Sequence, residues 1–233
     1  MCWCQPLVNF NHVRLIGHAG CFSDLNAFVW DHGHRLVAIE LGSMMEHGGM
    51  REQIMSLRSF VTAYLAPSSK QTYWTLEDAT TLSVAYLAQH PLLDQIPELC
   101  RDIVMHPRLC GNPPIACNIW MGTGGTRTPL HFDSYDNLLV QIVGYKYIRV
   151  FGTSQTEKLY VIQGGNKCDV FAQRNMSALN CELENWDEYP MVRDAKYQEI
   201  HLGPGLFVSS CSDVALCTII VDKYQCELLV VII

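Results

Sequence analysis

Gly125-Thr-Arg-Thr-Pro-Leu-His-Phe-Asp133, followed after a short turn by Asn137-Leu-Leu-Val-Gln-Ile-Val-Gly-Tyr-Lys-Tyr-Ile-Arg149, is the stretch that decides the fold. It contains three strand candidates, Pro129–Asp133, Asn137–Val143 and Lys146–Phe151, separated by the turn signals Ser134-Tyr-Asp136 and Gly144. Ala116–Met121 and Ile200–Leu202 have the same texture, with turns at Gly122-Thr-Gly-Gly125 and Gly203-Pro-Gly205. Many short strands closed by glycine turns argue for a mainly β domain, a barrel or a double-sheet sandwich.

Toward the N-terminus, Arg35–Gly42 alternates and is β-branched, which predicts a strand. Met50–Leu65 carries Ile54, Leu57, Phe60, Val61 and Leu65 at helical spacing and predicts a helix. Thr75-Leu-Glu-Asp78 resembles a capping box. Val84–Gln89 reads as a strand and Leu92–Ile103 as a short helix. Gly164–Pro190 is a polar excursion, irregular with a short helix, and the tail holds two β-rich runs, Ala215–Asp222 and Leu228–Ile233.

The chain has 233 residues, 49% of them hydrophobic, enough for one well-buried core. A net charge of −7 gives no electrostatic footprint for nucleic acid. The 11 cysteines stand behind an N-terminus without the pattern of a signal peptide, so they read as free thiols of an intracellular protein. Cys2 and Cys4 have no second pair at zinc-site spacing and read the same way. The apolar end, Cys226–Ile233, is too short to span a bilayer.

His131 and Asp133 alternate across Phe132, so on a strand both side chains face one way. An imidazole and a carboxylate so placed supply two corners of a 2-His-1-carboxylate iron site. The spacing alone is a weak signal, because a surface His and Asp on a turn would look the same. Lys146 stands in an apolar and aromatic strand, where it is either an edge residue reaching out or a buried cation with an anionic partner. Beside an H-x-D strand the second reading gains, and the Thr128 hydroxyl lies where it could reach the same anion.

These residues resemble the JmjC-domain Fe(II)/2-oxoglutarate oxygenases, closest to the branch called Jumonji domain-containing protein five, also described as lysine demethylase eight and arginyl hydroxylase. The resemblance rests on Tyr86-Leu-Ala-Gln-His-Pro-Leu-Leu-Asp-Gln-Ile-Pro-Glu-Leu99, Asn118-Ile-Trp-Met-Gly122, and the two stretches quoted first. It implies a double-stranded β-helix (a cupin-like jelly roll) with flanking helices, and three regions: a divergent segment 1–32, a JmjC-like domain 33–205 and an atypical tail 206–233. It implies His131 and Asp133 as iron ligands, and Lys146, Thr128, Asn137, Tyr86, Gln89 and Trp120 around 2-oxoglutarate. The reaction implied is oxidative decarboxylation of 2-oxoglutarate coupled to hydroxylation or demethylation of an arginine or lysine in a protein such as a histone. Nuclear or cytoplasmic placement follows from the family only.

After Gly205 the resemblance stops. The third ligand of the family, a histidine, falls on Val214 or Leu216, depending on the alignment, and neither binds iron. The family's closing aromatic strand has no counterpart. Two accounts of the tail follow: an alternative or mistranslated end, favoured by the abrupt break, or a diverged end whose β-rich runs still close the barrel. The functional alternatives are an oxygenase by descent with impaired activity and a non-catalytic JmjC-fold binding module.

Overall fold

The computed structural model describes residues 30–42, 51–65, 84–102, 114–133, 135–162, 175–179, 187–210, 215–221 and 227–232. Among the described residues, twelve strands lie in two antiparallel sheets. The larger sheet has seven strands in the order β10-β7-β12-β4-β3-β1-β2. These are β1 (Leu36–Leu41), β2 (Arg51–Ser56), β3 (Ala85–His90), β4 (Cys117–Gly122), β7 (Asn137–Val143), β10 (Phe207–Ser210) and β12 (Glu227–Ile232). The smaller has the order β5-β11-β8-β9, with the short β6 also on β11. Its strands are β5 (Arg127–Thr128), β6 (His131–Phe132), β8 (Lys146–Phe151), β9 (Tyr197–Leu202) and β11 (Ala215–Val221). From β4 onward the chain shuttles between the sheets, as a jelly roll does. At Gly144, φ is +81°, the left-handed conformation that lets β7 in one sheet turn directly into β8 in the other.

Alternation sorts the side chains into layers. On β7, Leu138, Val140 and Ile142 join a cluster outside the large sheet, with Ile39 of β1 and Leu87 of β3. Leu57, Phe60, Val61 and Leu65 of the helix close that cluster from the outside. Leu139, with Ile148 and Val150 of β8, Ile200 and Leu202 of β9 and Val208 of β10, fills the space between the sheets. Phe60 is fully buried, so Phe60→Ala would cost about 3–5 kcal/mol.

Two predicted helices are corrected. Met50–Leu65 is a strand followed by a helix: β2 pairs with β1 along its whole length, and Ile54 is 69% exposed instead of lying on the buried stripe. The helix α1 (Leu57–Phe60), continued by a wider turn over Val61–Leu65, begins where the Ser56 side chain accepts a hydrogen bond from the Ser59 N–H. Leu92–Ile103 is likewise interrupted. Helix α2 (Leu92–Gln95) ends at Ile96, which with φ −134° and ψ 74° has left the helical region, as the residue before Pro97 is biased to do, and a 3₁₀ segment follows.

The strand predictions at 137–143 and 146–151 match the structure residue for residue. The tail is part of both sheets: β11 pairs with β5, β6 and β8, and β12 lies between β4 and β7. The Thr75–Asp78 cap, nearly all of segment 1–32, and Val214 lie outside the described residues.

Candidate metal and co-substrate site

The H-x-D strand is short but held on both sides. Across one edge, His131 and Phe132 pair with Leu216 and Ala215 of β11. Across the other, the Phe132 N–H donates to the Asn175 carbonyl at 3.0 Å, and the Asn175 side-chain amide donates to the Phe132 carbonyl at 2.8 Å. His131 forms a further bridge to Met176, and the Ser177 N–H donates to the Leu130 carbonyl. Sequence reading treated Asn175–Ser177 as part of a polar excursion. It is a latch on the site strand.

His131 Nδ1 lies 2.8 Å from the Pro129 carbonyl oxygen. A carbonyl only accepts, so Nδ1 carries the proton and Nε2 presents its lone pair. Nε2 in turn lies 3.8 Å from Asp133 Oδ1, too long for a hydrogen bond and short enough for one ion to touch both. The other carboxylate oxygen, Oδ2, accepts a hydrogen bond from Asn137 Nδ2 at 2.7 Å. This donor pair fits a divalent metal at two protein corners. Among the described residues, no group of three His, Cys, Asp or Glu side chains is placed to share a metal. His201 alternates with the buried Ile200 and Leu202, so it faces outward, where its ring packs on Tyr147 at 5.2 Å.

Lys146 shares strand parity with Ile148 and Val150 and is 1% exposed, so its ammonium lies between the sheets. The side chain is thus buried and does not reach out from an edge. Its Nζ sits 6.0 Å from the centre of the Tyr86 ring. The close approach of Tyr86 to the backbone depends on Gly122, where a Cβ would collide with the tyrosine ring. Trp120 packs against the apolar cluster between the sheets. Thr128, half-buried on β5, stands opposite Ile219 of β11, two residues along that strand from Val221, the register partner of Lys146.

Gln89 departs from its expected place. It is exposed, with φ of +49°, where the β3–β4 register shifts between Leu87 and His90, so it stands outside the buried set around Lys146. Gln141 takes a place that sequence reading missed: fully buried on β7, it has the same parity as Asn137 and Leu139. Gln141 Oε1 and Asn137 Oδ1 are buried with no hydrogen-bond partner among the described residues. The interior thus combines a buried ammonium, which suits an anion, with amide oxygens that require donors.

A family model described as a cupin-like domain matches residues 33–208. The chain is 35% identical to JmjC domain-containing protein F of Dictyostelium discoideum, over 81% of this chain and 49% of that protein. It is 37% identical to lysine-specific demethylase 8 of Xenopus tropicalis, over 74% of this chain and 36% of the relative. It is 30% identical to Jumonji C domain-containing protein 5 of Drosophila melanogaster, over 86% of this chain and 48% of the relative. The chain therefore spans less than half the length of these curated relatives. Among the described residues, no helix is long and apolar enough to cross a membrane.

Proposed function

The chain belongs to the JmjC family of cupin-like proteins, and from that membership we propose that its interior is an Fe(II)/2-oxoglutarate site of the oxygenase type, directed at an arginine or lysine side chain of a protein, with turnover impaired by the loss of one iron ligand. The observation that carries the reading is the buried Lys146 between the same sheets whose edge presents His131 and Asp133. Iron with 2-oxoglutarate, when bound, would supply the oxidising chemistry. The chain's part is to hold the metal through His131 Nε2 and Asp133 Oδ1, and to attract the distal carboxylate of the co-substrate with Lys146 and the Thr128 hydroxyl. Tyr86 and Trp120 would wall the same space.

The impairment rests on register. Leu216 is the partner of His131 on one side of β11 and of Val150 on the other, so a leucine stands directly across the ladder from the metal-ligand histidine. Removing a partner that merely orients a ligand already costs about 10–100-fold in metal affinity or activity, and loss of a ligand itself should cost more. The same observation supports a second reading, a binding module that takes up 2-oxoglutarate or a peptide without turnover. Proteins with demethylase names among the relatives support a protein substrate, of which a histone is one example.

Anaerobic addition of Fe(II) and 2-oxoglutarate, followed by succinate measurement in air, tests the proposal. A metal-to-ligand absorption band that disappears in His131→Ala, with slow succinate formation, is expected. A band without succinate would select the binding module. The absence of any band would end the iron reading for this chain.

A further inference from the structure

We propose that Asn137 is a positioning residue for the metal centre, with its amide N–H holding the Asp133 carboxylate so that Oδ1 stays beside His131 Nε2. This inference rests on the metal site proposed above. Asp133 follows β6, beyond the last ladder residue Phe132, so strand pairing does not fix its side chain. The carboxylate is 40% exposed, and an exposed aspartate on a turn samples several rotamers. What orients it is the amide of Asn137, itself 4% exposed, through the 2.7 Å bond from Nδ2 to Oδ2.

The amide orientation follows from chemistry. Turning the group over would set Oδ1 against a carboxylate oxygen, two acceptors facing each other. The observed orientation leaves Oδ1 buried with no hydrogen-bond partner among the described residues. An asparagine kept only to shape the turn would bond the nearby backbone instead. With only two such ligands among the described residues, prior orientation of the carboxylate weighs more in seating the metal.

Co(II) alone is the probe, titrated into the full chain with its ligand-field absorption and affinity recorded. Asn137→Leu keeps the branching of the side chain and removes the donor, and Asn137→Ala, which cannot overpack the turn, is read in parallel. Affinity should fall by about 10–100-fold in both, with an altered ligand-field spectrum. The thermal midpoint of Asn137→Leu should stay at or above that of the parent chain, a combination that a merely structural role would not give. Unchanged Co(II) affinity in both variants, alongside its loss in His131→Ala, overturns the inference and leaves the metal site standing. If the parent chain takes up no Co(II) that His131→Ala removes, both fail. Loss of folding in both variants would assign Asn137 to the fold and overturn the inference as well.

Discussion

Replacing Lys146 by methionine should separate ligand binding from folding. The ammonium is 1% exposed and shares its strand face with Ile148 and Val150. Against a carboxylate about 4 Å away, at the effective dielectric of about 20 that suits such sites, the attraction is about 4 kcal/mol. Part of that is offset by stripping water from the ligand, which leaves a loss of about 10–10²-fold in 2-oxoglutarate affinity at 1.4 kcal/mol per factor of ten. The effect on the ligand-free fold should be much smaller. Methionine has a similar volume and no charge to desolvate, and this gain opposes the lost contact with the Tyr86 ring, worth about 0.5–2 kcal/mol. The two leave the thermal midpoint within about 4 °C of the parent chain. Calorimetric titration of 2-oxoglutarate in the presence of Co(II), with thermal unfolding measured on the same samples, reads both quantities. An affinity within threefold of the parent would refute the anchoring role of Lys146. A collapsed midpoint with intact affinity would refute the argument from burial.

Three further outcomes follow from the geometry. Gly122→Ala would drive a Cβ into the Tyr86 ring and to 3.0 Å from the Ala85 carbonyl, costing about 1–3 kcal/mol in thermal denaturation and weakening 2-oxoglutarate binding as Tyr86 shifts. Ser56→Ala should cost about 1 kcal/mol in urea unfolding, since the Ser59 N–H loses its acceptor at the start of α1. Glu40 and Glu52 face each other across β1 and β2, and burial first, then the Glu52 charge, raises the Glu40 carboxyl above its usual pKa. The folded state therefore holds that proton more tightly than the unfolded chain, and its contribution to stability is full below about pH 4.5 and lost as pH rises through the raised value. Glu52→Gln should flatten that loss and raise stability at neutral pH by a few tenths of a kcal/mol, measured as unfolding midpoints from pH 4 to 7.

Strands β7 and β8 were legible because an apolar run bounded by Gly144 leaves little freedom in where they begin and end. The β2–α1 boundary was not. The helical stripe from Leu57 to Leu65 extends by coincidence to Ile54, and only pairing with the distant β1 pulls 51–56 into a strand. Lys146 could be read because a lysine is rare at a buried strand position, and His131 and Asp133 because their alternate spacing and the family resemblance singled them out. Gln141 carried the same signal, a polar residue in phase with Asn137 and Leu139, and went unread because the run around it looked uniformly apolar. The displacement of Gln89 depends on a bulge, and the latch at Asn175–Ser177 on a contact more than forty residues away, neither of which leaves a local mark.

On the proposed reading, His131 and Asp133 hold a metal while the register partner of His131 on β11 is a leucine, Leu216. Leu216→His tests it most directly, by Co(II) affinity and by succinate formed from 2-oxoglutarate with Fe(II) in air. The account predicts a gain of at least about tenfold in affinity over the parent chain, with faster succinate formation, both abolished when His131→Ala is added. Unchanged affinity and turnover in Leu216→His would contradict it.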